Sequence, residues 1–297
     1  MDDFRLKVFI AAARNLSFTK AAEELFISQP AISKHIAFLE STYGVRLFDR
    51  RGSSLSLTLA GQILLDKATR IQSSYDELDY TMHLLTHAHM GKLRIGASTT
   101  IAQYVIARII ARFNELYPQV EVSLVSGNSR FIESALDDRL IDLGMVEGVH
   151  HASHLQYRPF MDDALCVVAS PRHSYPTPVT EKTFLSLPLV LRERGSGTLE
   201  VIENELSHHH LTLSDCQVRL YLGSTEAIKL YLRNSQAVGI ISRAALENEL
   251  TLGQLTVLPL SSLSFKRSFS LVMPRGPLPP LAESFAAFTM DNCQPSV

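Results

Sequence analysis

Four short stretches combine small residues with hydroxyl side chains: Ser98-Thr99-Thr100, Gly127-Asn128-Ser129, Gly195-Ser196-Gly197-Thr198 and Gly223-Ser224-Thr225-Glu226. Each follows an apolar run of strand length and precedes a stretch with helical spacing. That position sets hydroxyls and free backbone N–H groups at the positive end of a helix dipole, where an anion is stabilised. One such loop is an ordinary helix cap. Four in equivalent places predict a cleft that binds a small oxyanion or carboxylate. The expected ligand-binding set is Ser98, Thr99, Thr100, Gly127, Asn128, Ser129, Ser196, Gly197, Thr198, Ser224, Thr225 and Glu226. Glu226 would repel a dianion unless it faces outward or bonds backbone, and Arg192 or Arg194 would supply compensating charge.

Other chemistries fit less well. His150, His151 and His154 form one cluster and His208-His209-His210 another, but neither has an associated Cys or a zinc spacing, so both read as surface loops. Ser196 lacks the glycine frame of a nucleophile elbow, and no Walker or Rossmann glycine pattern occurs. Asp162-Asp163 offers paired carboxylates with nothing to place a base or water beside them. No metal, cofactor or enzymatic activity is expected.

The positioning elements follow from periodicity. Residues 3–14 and 18–26 read as helices, with Thr19 as N-cap of the second. A third starts after Ser28, carries Pro30 in its first turn, spaces Ile32, Ile36 and Leu39 along one face, and stops at Gly44. Two short helices around a three-residue turn make a helix-turn-helix. Residues 45–57 read as a hairpin wing with Arg50 and Arg51 near its tip. Leu57, Gly61, Leu64, Ala68, Ile71, Tyr75, Leu78, Met82 and Leu85 then form a heptad seam on a helix of roughly 45–50 Å, too long to cover its stripe against one small domain. A symmetry-related copy is the expected partner. Beyond Gly91, strands alternate with helices, which implies parallel sheet in two similar α/β lobes joined by crossing strands.

Composition sets the frame. The chain has 297 residues, 28 Lys+Arg against 30 Asp+Glu, and 46% hydrophobic residues, enough for more than one core. No apolar run spans a bilayer, and the opening MDDFRLKVF is no secretory signal, so a cytoplasmic, non-membrane protein is expected. Cys166, Cys216 and Cys293 suit a reducing compartment. The net charge of −2 hides an uneven spread: residues 1–60 hold eight basic and six acidic side chains, the remainder 20 and 24.

The first sixty residues resemble the LysR-type transcriptional regulators. The resemblance rests on Phe9, Ser17-Phe18-Thr19, Ala21-Ala22, Leu25, Ser28-Gln29-Pro30-Ala31-Ile32-Ser33, Ile36, Leu39-Glu40, Gly44, Leu47-Phe48, Arg50, Leu57-Thr58 and Ala60-Gly61. The order of the remaining elements also follows the family. The resemblance implies an N-terminal all-α winged helix-turn-helix domain (residues 1–60) and a linker and dimerisation helix (61–90). It implies a periplasmic-binding-protein-like α/β effector domain (91–297), with lobe 1 at about 91–164 and 267–297 and lobe 2 at about 165–266. It further implies a homodimer through the linker helix, commonly assembled into a homotetramer, bound to double-stranded DNA and governed by a small effector between the lobes. With the third helix in the major groove, the expected DNA-contact residues are Gln29, Pro30, Ser33, Lys34, His35, Arg50 and Arg51. Gln can bond an adenine edge, whereas Lys34, where the family usually has Arg, cannot fork onto guanine. The cleft loops resemble the branch that senses sulfur- or one-carbon-type anions, except that Leu199 stands where relatives often have Arg. The competing classes are a solute-binding protein, disfavoured by the helix-turn-helix, and an enzyme, disfavoured by the lack of a nucleophile–base pair.

Overall fold

Side-chain oxygens decide where the N-terminal helices start. α1 (Phe4–Asn15) begins at Asp3, which accepts from the Arg5 N–H, and ends at Leu16 in the left-handed region, φ 43°. α2 (Phe18–Glu24) is capped by Ser17, which accepts from Lys20 N–H at 3.3 Å, and not by Thr19. The reversal at Leu16 leaves Ser17 as the last extended residue, so the cap falls two residues earlier than expected. α3 (Gln29–Tyr43) starts at Ser28, has Pro30 in its first turn and stops at Gly44, φ 68°. In this computed structural model the described residues are 3–51, 54–84, 91–149 and 151–293, in two compact units, Met1–Gly91 and Lys92–Val297.

The first unit closes around Val8, Phe9, Ala12, Ala21, Ile32, Ile36, Leu39, Leu47 and Phe48, all buried. Small Ala21 and Ala22 let the helices approach, and Phe48 meets the rings of Phe9 and Phe18 at 5.7 and 5.3 Å. The wing pairs β1 (Phe48–Arg51) with β2 (Ser54–Leu57), Phe48 opposite Leu57. Glu40 Oε1 accepts from the N–H groups of Leu47 and Phe48 at 2.8 and 3.4 Å, which ties α3 to the wing. Thr58 Oγ1 donates to Arg46 O at 2.7 Å and accepts from Gly61 N–H at 3.0 Å, capping α4 (Leu59–Leu84). A Cβ on Gly61 would lie 2.1 Å from the Leu47 carbonyl oxygen, so backbone there would have to move. Gly61→Ala should therefore destabilise this unit by about 1–3 kcal/mol, read as a lower urea midpoint of the full chain's first unfolding transition.

The seam of α4 is divided. Leu57 and Leu64 pack on the unit's own core and Ala68 is fully buried, whereas Ile71, Leu78 and Met82 are 44%, 49% and 55% exposed. The 26 residues span about 39 Å, and Leu85 lies outside the described residues.

The second unit runs β3 (Gly91–Ser98), α5 (Thr99–Tyr104), α6 (Ile106–Leu116), β4 (Val120–Gly127), α7 (Ser129–Asp137), β5 (Leu143–Val146) and β6 (Leu155–Ala169). It continues with α8 (Glu181–Ser186), β7 (Leu189–Arg192), α9 (Gly197–His208), β8 (Val218–Leu222), α10 (Thr225–Arg233), β9 (Val238–Ser242), α11 (Glu247–Thr251), β10 (Thr256–Val257), β11 (Lys266–Pro274) and α12 (Pro280–Asn292). The strand order is β4-β3-β5-β11-β6-β9-β7-β8, with β10 on β6. β6 joins two lobes: residues 155–164 pair with β11, and 165–169 pair with β9. The sheet is mixed, unlike the parallel sheet expected from element alternation. β3–β5, β7–β8 and β7–β9 are parallel, but the crossing strands β6 and β11 run antiparallel to their neighbours. Each lobe has its own core, one around Ile132, Leu136, Ile141 and Val272, the other around Leu189, Leu191, Leu199, Ile202 and Ile240. The stretch after β3 forms two helices, α5 and α6, broken at Val105 (φ −120°, ψ −57°) without a Pro or Gly.

Candidate functional site

The ends of β3, β4 and β7 and the start of α10 converge on one guanidinium. Arg192, last residue of β7, is 2% exposed, a costly place for an unpaired charge. Its Nη2 donates to Thr99 Oγ1 at 3.2 Å, and its Nη1 to Thr225 Oγ1 at 3.4 Å. Thr99 in turn donates to the Gly127 carbonyl at 3.0 Å. The fork is completed by Glu193, with Nε–Oε2 at 2.8 Å and Nη2–Oε1 at 3.0 Å. Asn128, the N-cap of α7, accepts from Phe131 N–H and donates to Glu193 Oε1 at 3.4 Å. Burial opposes ionisation of Glu193, but the Arg192 hydrogen bonds and charge prevail and hold its carboxyl below the usual range.

Ser98 precedes Thr99, Ser129 follows Asn128 and Ser196 lies in the loop after Glu193; their hydroxyls are buried and have no hydrogen-bond partner among the described residues. Unpaired buried hydroxyls cost free energy. The loops are held together tightly. Arg130 N–H donates to Gly195 O at 3.3 Å, and Gly195 takes φ 84°. A Cβ on Gly197 would fall 2.6 Å from Gly148 N and 2.8 Å from Ser129 Oγ, so only glycine admits this contact between α9 and α7.

The remaining predicted cleft residues are placed differently. Thr100 is buried at the start of α5, and Ser224 caps α10 by accepting from Ala227 N–H at 3.4 Å. Thr198 belongs to a second buried cluster: it donates to Glu147 Oε1 at 3.2 Å and accepts from Arg267 Nη1 at 3.0 Å. Arg267 Nε reaches Asp163 Oδ2 at 2.8 Å, and Ser242 donates to Asp163 Oδ1 at 2.8 Å. Asp163 is thus a structural counter-ion, while Asp162 takes a bond from Ser268. Glu226 is engaged by the Tyr104 hydroxyl and by Lys229 Nζ at 2.7 Å, and Lys229 also meets Glu249 at 2.9 Å. Burial and then Glu226 push the Tyr104 hydroxyl well up. Burial works against Glu226 ionising, but Lys229 outweighs it and holds the carboxyl below its usual range. Leu199 is a core residue of the second lobe, and the guanidinium that reaches these loops is that of Arg192.

In the first unit, Gln29, Pro30 and Lys34 are exposed and Ser33 half-buried on the opening turns of α3. Gln29 Nε2 donates to Ser33 Oγ at 3.0 Å, which orients the amide. His35 is half-buried with its ring edge-on to Phe4 at 5.5 Å, a packing contact with α1. Arg50 and Arg51 pair through backbone with Leu55 and Ser54, and their side chains lie outside what is described. His154 meets Asp137, His209 meets Glu181, and His151 stacks on Tyr157; His150 lies outside the described residues. Among the described residues no three His, Cys, Asp or Glu side chains are grouped to hold a metal ion.

Residues 4–62 match the family model "Bacterial regulatory helix-turn-helix protein, lysR family", and residues 86–294 match "LysR substrate binding domain". The chain belongs to the LysR family. LysR proteins are DNA-binding transcriptional regulators with an effector-binding domain, not enzymes, and this chain is one of them. It is similar to the HTH-type transcriptional regulator CysL of Bacillus subtilis, 30% identical over 90% of this chain and 89% of that protein. The effector domain is similar to the Synechocystis PCC6803 CcmR regulatory domain in complex with 2-PG: 28% identity, TM-score 0.63, 69% of this chain and 98% of that one. A full-length single-substitution variant of Pseudomonas aeruginosa OxyR shares the LysR fold across 99% of this chain and 96% of its own, with TM-score 0.72 and 19% identity. Among the described residues no helix is long and apolar enough to cross a membrane.

Proposed function

We propose that this LysR regulator reads DNA with α3 and the wing and senses a small anion held between its lobes by Arg192 and the loops around it. The observation that carries the anion reading is the buried Arg192 fork beside the unpartnered hydroxyls of Ser98, Ser129 and Ser196. Thr99, Thr225 and Asn128 orient the fork and its carboxylate partner, Gly127 O accepts from Thr99, Gly195 and Gly197 permit the close approach of the loops, Thr198, Ser224 and Glu226 are taken up in bonds of their own, and Thr100 is buried at the start of α5. CcmR in complex with 2-PG supports an anion of this size. Calorimetry of the full chain against sulfate, phosphate and 2-PG tests the reading: binding below millimolar by at least one is expected, and none by all three overturns it.

On DNA, Gln29 and Ser33 face base edges, Lys34 reaches a base or phosphate, Pro30 sets the first turn, and Arg50 and Arg51 approach the backbone. His35 supports α3 through Phe4. Arg50→Ala should weaken binding to all sequences alike and reduce the salt slope by roughly one unit; gel shifts across a salt series measure it, and an unchanged slope removes Arg50 from the interface. The exposed half of the α4 seam, Ile71, Leu78 and Met82, is covered by a second copy in a homodimer, which pairs into a tetramer. Several weakly basic heads acting together supply the avidity that one head at +2 lacks. The site of action is the cytoplasm, on double-stranded DNA.

A further inference from the structure

We propose that Glu193 is a built-in competitor for the anion site and sets the lowest charge an effector can carry, excluding monoanions and admitting dianions. The inference rests on the reading that the effector is held at Arg192. Glu193 already occupies the place such an anion would take. Its two oxygens fill the Arg192 fork at 2.8 and 3.0 Å, and one also receives Asn128 Nδ2 from the other lobe at 3.4 Å. It follows Arg192 directly in sequence, so its effective concentration at the fork is far above that of a free metabolite. A free monocarboxylate would bring the same charge and the same pair of oxygens, exchange like for like, and lose its translational freedom.

A tetrahedral dianion changes the balance. Its second charge strengthens the pairing with Arg192, and its further oxygens are acceptors for donors that Glu193 leaves unused, the buried hydroxyls of Ser98, Ser129 and Ser196. The displaced carboxylate has somewhere to go, since the Glu193 side chain is 29% exposed whereas that of Arg192 is 2% exposed. Glu193 is thus the movable partner and Arg192 the fixed one. Asn128 loses its acceptor in the exchange and is free to donate to the incoming anion.

Glu193→Gln separates these ideas because it keeps the size of the side chain and removes the competing charge. Calorimetry of the full-length protein uses sulfate as the dianion and acetate as the monoanion, on wild type, Glu193→Gln, Arg192→Gln and Ser196→Ala. Wild type should bind sulfate and not acetate. Glu193→Gln should bind sulfate roughly tenfold tighter or better and acquire measurable acetate binding. If Glu193→Gln changes neither while Arg192→Gln removes sulfate binding, the site stands and Glu193 is no competitor. If Arg192→Gln and Ser196→Ala leave sulfate binding intact, the site itself is misplaced and the proposal falls with it. Equal binding of acetate and sulfate by wild type, or no sulfate binding by either wild type or Glu193→Gln, also overturns it.

Discussion

Arg192→Gln should weaken anion binding by about 2–5 kcal/mol, roughly 30-fold to several thousandfold, while the protein stays folded. The size follows from burial: Arg192 is 2% exposed, so the bound anion is paired in a poorly screened setting. Folding should survive because the partner left behind, Glu193, can turn towards solvent. Arg192→Lys keeps the charge but loses the planar fork and the bonds to Thr99 and Thr225, so it should recover only part of the affinity. Calorimetry reads the affinity and the thermal midpoint confirms the fold. Full affinity in Arg192→Gln would mean that the helix ends and hydroxyls bind the anion without it.

Arg267→Met should have the largest effect on stability, a loss of about 3–5 kcal/mol. The Arg267 side chain is fully buried and sits between two carboxylates, Asp163 and Glu147, each with 2% of its side chain exposed. Methionine fills similar volume but leaves both acids without a counter-ion. Glu147 comes from the loop after β5, Asp163 and Arg267 from the crossing strands β6 and β11, Thr198 from the first turn of α9 and Ser242 from the end of β9, so the cluster fastens the two lobes where strands pass between them. Urea unfolding of the effector-domain transition measures the loss. A change below about 1 kcal/mol would show that the cluster contributes little beyond what packing supplies.

Much of this was legible in the sequence because it rests on local chemistry. Ser28, Pro30 and Gly44 mark α3 to the residue, and the glycine-hydroxyl loops fall at the helix starts where their composition put them. Local ambiguity limited the α2 cap, since Ser17 and Thr19 are equally good caps and only the left-handed turn at Leu16 chooses between them. What depended on distant partners was hidden. The Asp162-Asp163 pair invites an acid–base reading, but successive strand residues face opposite ways, and Asp163 is claimed by an arginine from β11. Glu226 is a bare charge in sequence, and its partners Tyr104 and Lys229 come from another helix and from one turn further along its own. The Arg192–Glu193 fork is written as two adjacent letters, yet its significance comes from Thr99 and Asn128, contributed by the other lobe. The heptad seam was readable as a stripe but not as a divided one, because the first unit's own core covers Leu64 and Ala68 and stops there.

Anion sensing and DNA reading meet in one quantity, the effect of a cleft anion on DNA binding. An operator can be recovered by genome-wide mapping of the sites the full chain occupies. Its affinity and footprint are then measured with and without whichever of sulfate, phosphate or 2-PG calorimetry registers, for wild type and Arg192→Gln. A shift in wild-type affinity or footprint of roughly fivefold or more is expected, absent in Arg192→Gln. An anion that binds wild type yet leaves DNA binding unchanged, or that shifts Arg192→Gln equally, would contradict it.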